Sequence, residues 1–144
     1  MIHPQLQRDC FVLGQLSLSH LLLMNDSRYP WFILVPAVEG IQEIYQLTPT
    51  DQQQLLAESN WLAENLQKSF AADKINIAAL GNVVPQLHVH HIVRYRTDDA
   101  WPAPVWGKYP AKAYNDNSRQ NLLQSMTWLW EYAPFTKKMI PIEP

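Results

Sequence analysis

The chain of 144 residues has one cysteine, Cys10, so it can form no intrachain disulfide, and it carries no Cys-x-x-Cys or Cys/His zinc spacing. That usage fits a reducing compartment, and a cytoplasmic location is expected. Basic residues are not in surplus: 11 Lys and Arg stand against 13 Asp and Glu, with net charge −2 and pI about 6.2. Such a balance gives no electrostatic reason to bind nucleic acid or an anionic membrane. No apolar run approaches the roughly 20 residues that span a bilayer. The opening MIHPQLQRDCFVL has no basic start followed by an apolar core, so no signal peptide is expected. No repeat, low-complexity tract or linker divides the chain. One domain over residues 1–144 is the expectation, with a core over about 10–98 and a Pro/Trp-rich, then helical, tail over about 99–144.

What the chain does contain is patterned. CFVLGQL and HLLLMN are short apolar runs compatible with a hairpin, NDSRYP (25–30) is dense in turn formers, and WFILVP (31–36) reads as a third strand. LTPTDQQQLL holds the clearest helix start. Thr48 is placed to cap, Pro49 suits the first helical position and Asp51 favours the positive end. Leu55, Leu62, Leu66 and Phe70 then recur on one face, which predicts a helix over 49–70. KINIAAL predicts a strand ending in a Gly81-Asn82 turn, QLHVHHIVRY the next strand, and residues 117–132 a last helix capped by Asn117 or Ser118. The segment AWPAPVWGKYPAKAY between them is too rich in proline for a central strand or helix. The order predicts an α+β domain with a mainly antiparallel sheet.

Three of the five histidines, His88, His90 and His91, fall within four residues. On a strand, side chains alternate, so Gln86, His88 and His90 share one face, whereas His91 points to the other with Leu87, Val89 and Val93. Three readings stay open for the Gln-x-His-x-His ridge. It could be structural. It could contribute two ligands to a metal, with others supplied from elsewhere. It could act chemically, since an imidazole whose tautomer is fixed by a neighbour is a nucleophile near neutral pH.

GNVVPQLHVHHIVR resembles the signature of the histidine triad (HIT) proteins, nucleotide hydrolases and transferases with His-φ-His-φ-His-φ-φ after a short Gly turn. Aligned from Gly81, Gln86 stands at the first histidine position, His88 at the middle one and His90 at the last. A register with His88 first, His90 second and Ile92 third is the alternative, at the expense of the Gly-Asn spacing. The resemblance implies a five-stranded antiparallel sheet with one long helix and a C-terminal helical extension. It implies a His88 nucleophile attacking the α-phosphorus of a purine nucleotide conjugate, a phosphoramidate or dinucleoside polyphosphate, through a covalent nucleotidyl-histidine. His90 would hydrogen-bond the phosphate, Gln86 would orient His88 without relaying a proton, and Asn82 would contact phosphate or leaving group. Upstream, MNDSRYPWFILVP is similar to the ribose-binding segment, which gives Asn25 or Asp26 to the ribose. The resemblance further implies no cofactor, no metal held by the protein, and a homodimer. The Gln at position 86 keeps open a nucleotide-binding protein without turnover, and the His pair a metal-dependent hydrolase. Trp31, Trp101 and Trp106 are candidates to stack on a base, Phe11 and Leu13 to line its pocket, and Arg94, Arg96 and Lys108 to attract phosphate.

Overall fold

A computed structural model describes residues 1–141 except Tyr132. Its elements, in chain order, are α1 (Pro4–Asp9), β1 (Cys10–Leu16), β2 (Ser19–Met24), β3 (Trp31–Pro36), α2 (Pro49–Phe70), β4 (Lys74–Ala78), β5 (Val89–Arg94), α3 (Asp116–Gln124) and β6 (Lys137–Met139), with single 3-10 turns at Ile44–Gln46 and Thr127–Trp130. One six-stranded sheet runs β4-β5-β3-β2-β1-β6, and each pairing is antiparallel.

β3 and β5 are buried at all six of their positions because each sheet face is covered. On one face lies α2, whose Leu55, Leu62 and Leu66 pack on Leu21, Leu23, Phe32, Leu34, Val89 and Val93. The helix begins as its sequence dictates. Thr48 accepts from the Asp51 N–H, Pro49 follows, and the last turn closes at Ala71 in a left-handed conformation (φ 47°). The same helical face carries Glu58, fully buried, whose carboxylate accepts from the Leu18 and Ser19 N–H groups at 2.8 and 3.0 Å. The β1–β2 turn is thus tied to the helix by a carboxylate that fills two otherwise orphaned donors.

The opposite face is covered by chain termini and loops rather than by a long helix. Ile2 and Leu6 from the N-terminal arm, and Ala100 and Val105 from the proline-rich segment, pack on Leu22, Trp31, Ile33, Val35 and Ile92. The short α1 was not anticipated, although Pro4 at its first position and the His3 ring accepting from the Gln5 N–H mark its start. The sheet has six strands rather than five because Lys137–Met139 pairs with β1. Gly14 permits that approach, since a Cβ there would sit 2.6 Å from the Lys138 carbonyl oxygen.

The tail helix is shorter than the predicted 117–132, whose final residue lies outside the described residues. Its cap is Asn115, in a reciprocal box with Ser118. The helix stops at Gln124, and the change of direction sends Met126 and Leu129 into the core beside α2, with the Trp128 indole donating to Ser69 Oγ at 2.5 Å. Among the described residues no helix is long and apolar enough to cross a membrane.

Candidate functional site

The strand alternation distributes the histidines as expected. His91 points towards α2, is fully buried, and bonds Ser59 Oγ at 2.7 Å. His88 and His90 point to the opposite face with ring centroids 5.0 Å apart, and they are 7% and 4% exposed. The Trp106 ring stands edge-on to His90 at 5.1 Å, and Trp31 lies 5.6 Å from it.

The partners of the two rings fix opposite tautomers. His88 Nδ1 lies 2.7 Å from the backbone carbonyl of Gln86. A carbonyl oxygen only accepts, so Nδ1 carries a proton, and in the neutral ring Nε2 keeps its lone pair. His90 Nδ1 lies 2.9 Å from Trp31 Nε1. An indole N–H only donates, so here Nδ1 is the bare nitrogen and Nε2 carries the proton. The ridge therefore presents one nucleophilic nitrogen beside one hydrogen-bond donor. Burial, together with the neighbouring His88 and His91, pushes His90 down to about 3, so it is neutral at physiological pH. Burial likewise lowers His91 to about 4, against the opposing pull of the Val89 carbonyl.

Gln86 is positioned differently from its expected role. Its side-chain Oε1 accepts from the His3 N–H at 2.7 Å, and its Nε2 donates to the Met1 carbonyl at 2.8 Å. The carboxamide is occupied in clamping the N-terminal arm, and contact with His88 comes from its backbone carbonyl instead. The two nitrogens of an imidazole also flank one carbon, but their bonding directions diverge around the ring, so it is poorly shaped for that side-by-side donor–acceptor pair. Asn82 is exposed on the loop between β4 and β5.

Asn25 and Asp26 line a cleft of about 460 Å³ together with Trp31, Trp106, Tyr109 and Arg8. The cleft abuts the His90 ring through the two tryptophans. Both polar side chains also tie down the segment that roofs it: Asn25 Oδ1 accepts from the Tyr114 N–H at 2.8 Å, and Asp26 Oδ1 from the N–H groups of Lys112 (3.2 Å) and Arg28 (3.1 Å). The Asn25 Nδ2 and Asp26 Oδ2 atoms take no part in these bonds. Residues 100–114 are thus a cap over the histidine face.

Other sequence candidates lie elsewhere. Arg94 is fully buried, with its guanidinium spent on Asp98, Asn76 and the Ala103 carbonyl, and it faces no open site. It anchors the start of the cap, and Trp101 packs against it at 5.5 Å rather than lining the cleft. Phe11 and Leu13 both line a separate cavity of about 560 Å³ beside α3, with Arg119 over the Phe11 ring, and Leu13 also belongs to the core under α2. Among the described residues no three His, Cys, Asp or Glu side chains converge as a metal site would. The Trp31 hydrogen bond was not read from sequence. Its signal was an aromatic donor on the strand next to the histidines, and only the pairing of β3 with β5 brings them together.

Residues 5–97 match the family model described as the HIT domain. Three solved structures are similar over nearly the whole chain. A histidine triad protein from Marinobacter aquaeolei VT8 is 50% identical, with a TM-score of 0.88, covering 91% of this chain and 96% of that one. One from Sinorhizobium meliloti 1021 is 43% identical, TM-score 0.86, covering 89% and 95%. One from Bradyrhizobium japonicum is 41% identical, TM-score 0.86, covering 89% and 96%. None of the curated proteins compared with the chain matches it.

The lowered His90 and His91 predict a pH dependence of stability. An unfolded histidine takes up its proton near ~6.5, whereas these two stay neutral in the fold until about 3 and about 4. Between those limits the unfolded chain binds more protons. Stability is therefore complete above the unfolded value and falls as pH drops, by up to about 1.4 kcal/mol per pH unit for each ring. Urea midpoints at pH 7.5, 6 and 5 are expected to decline, and a Ser59→Ala/His91→Leu double variant should decline less steeply. An equal slope in that variant would remove His91 from the account.

Proposed function

The chain belongs to the histidine triad family, whose members are generally nucleotide-binding hydrolases or transferases, and on that premise we propose that it cleaves at the α-phosphate of purine nucleotide conjugates. The substrate class is nucleoside phosphoramidates or dinucleoside polyphosphates, and the route is a covalent nucleotidyl-histidine. The observation that carries this reading is the opposed protonation of the ridge: a bare Nε2 on His88 beside an Nε2–H on His90.

His88 Nε2 attacks the α-phosphorus and forms a nitrogen–phosphorus bond. The bond to the leaving group breaks, and its electron pair departs on the leaving nitrogen or oxygen, which takes a proton from solvent. The His88 ring becomes positive in this step, and its Nδ1–H bond to the Gln86 carbonyl strengthens as it does so. His90 Nε2–H donates to a non-bridging phosphate oxygen as negative charge grows there. Water then attacks phosphorus and gives up a proton to solvent, the nitrogen–phosphorus bond breaks, the electron pair returns to Nε2 and the nucleoside monophosphate leaves. Asn82, exposed on the loop before β5, contacts phosphate or leaving group. The cleft holds the nucleoside, with Trp106 and Tyr109 as apolar walls and Asn25 and Asp26 towards the ribose hydroxyls.

A homodimer is the assembly this reading takes. β4 is an edge of the sheet, and beside it Leu56 (61% exposed) and Ile77 (49%) stand in solvent around a groove of about 520 Å³ between α2 and β4. An apolar edge of this kind is a template for a second copy. Light scattering at micromolar concentration should give twice the chain mass, and Leu56→Asp/Ile77→Asp should give the monomer. A monomeric parent would end the dimer proposal.

Turnover of an adenosine phosphoramidate is the functional test. His88→Ala should abolish it, and His90→Ala should lower kcat by about 10²–10³, the usual loss when one charge-stabilising donor is removed. If neither phosphoramidates nor dinucleoside polyphosphates are cleaved while AMP binds, the nearly covered histidine pair serves binding alone.

A further inference from the structure

Trp31 opens β3 and stands opposite Ile92 on β5, with Ile33 opposite His90, so its side chain lies on the same sheet face as His90 and diagonal to it. The indole reaches across to His90 Nδ1 at 2.9 Å in a buried contact. Ser, Asn, Gln or His in that place could donate or accept by rotating or changing tautomer. An indole nitrogen can do only one of these. Placing a proton on His90 Nδ1 would require breaking this bond and leaving two N–H groups face to face.

We propose that Trp31 is a positioning residue that locks His90 as a neutral Nε2–H donor, so that its proton always faces the reacting phosphate and never the sheet. The inference rests on the nucleotidyl-transfer reading above. Its consequence is twofold. A His90 in the opposite tautomer would turn a lone pair towards a phosphate oxygen and repel it. A doubly protonated His90 would place a cation 5.0 Å from the His88 ring and withdraw basicity from the nucleophile.

The surroundings favour the lock. Trp106 stands edge-on to both Trp31 (5.7 Å) and His90 (5.1 Å) and shields their hydrogen bond from water. The titratable groups that act on His90 are its chain neighbours: His88, just before β5 and on the same face, and His91, on the other face of the strand. From β3 it meets Trp31 and Ile33, from β4 its pairing partner is Ala78, and from the cap it meets Trp106, none of them charged.

Nitrogen-15 NMR of the histidine rings separates this proposal from the enzymatic one. In the parent protein, His90 should show a bare Nδ1 and a protonated Nε2 from pH 5 to 8. In Trp31→Phe, which keeps an aromatic ring against Trp106, His90 should populate both tautomers. With an adenosine phosphoramidate, the same variant should lose about 10-fold or more in kcat with KM little changed. A protonated Nδ1 on His90 in the parent protein overturns the lock, even if Trp31→Phe fails to fold. So does a variant whose tautomer populations match the parent's, or one with unchanged kcat. A parent that cleaves no conjugate but shows the single tautomer overturns the catalytic role of Trp31, and the nucleotidyl-transfer reading with it, while leaving the tautomer assignment standing.

Discussion

The architecture of the site depends on β5 being buried from both sides while alternating its side chains between them. A strand covered on one face only would leave either His91 or the His88–His90 pair in water. Here α2 receives His91 through Ser59, and the N-terminal arm and residues 100–114 close over the other pair. Burial keeps His90 and His91 neutral, and the tautomer of each of the three rings is set by a hydrogen-bond partner that can only donate or only accept. The Gln86 carbonyl sets His88, the Trp31 indole sets His90, and the Val89 carbonyl sets His91, whose other nitrogen bonds the Ser59 hydroxyl.

The covering elements are held by polar contacts placed at their ends. Gln86 clamps Met1 and His3, Asn25 and Asp26 hold Lys112 and Tyr114, and Arg94 with Asp98 holds the start of the cap. Loops are ordinarily the least stable parts of a fold. In this one, five side chains from the sheet and its turns pin them, and the cleft beside Trp31 and Trp106 is what remains between the pins. Gln86 fits this arrangement. A carboxamide clamps the arm, and the backbone carbonyl that orients His88 would be present whatever the side chain.

Much of the fold was legible in the sequence because its signals are local. Thr48-Pro49 and the Leu55, Leu62, Leu66 spacing fixed α2 to the residue, and alternation assigned His91 to the face opposite His88 and His90. What escaped was decided by pairing at a distance. β6 is a strand only because Gly14 admits it, α1 is six residues long and packs through Leu6, and the tail helix breaks where Met126 can enter the core. The same holds for the site. The motif placed two histidines side by side, but the bond from Trp31 needs β3 to pair with β5. The use of Asn25 and Asp26 as anchors for a segment 89 and 86 residues away has no local signature at all.

The central claim is that His88 becomes covalently linked to the nucleotide, and the stereochemical course at phosphorus tests it most directly. A nucleotide conjugate made chiral at the α-phosphorus by one sulfur atom would be hydrolysed in oxygen-18 water, and the configuration of the product determined. Two successive displacements, the first by His88 Nε2 and the second by water, predict overall retention. Inversion would mean that water attacks phosphorus directly, and the histidine ridge would then be a binding surface and not a nucleophile.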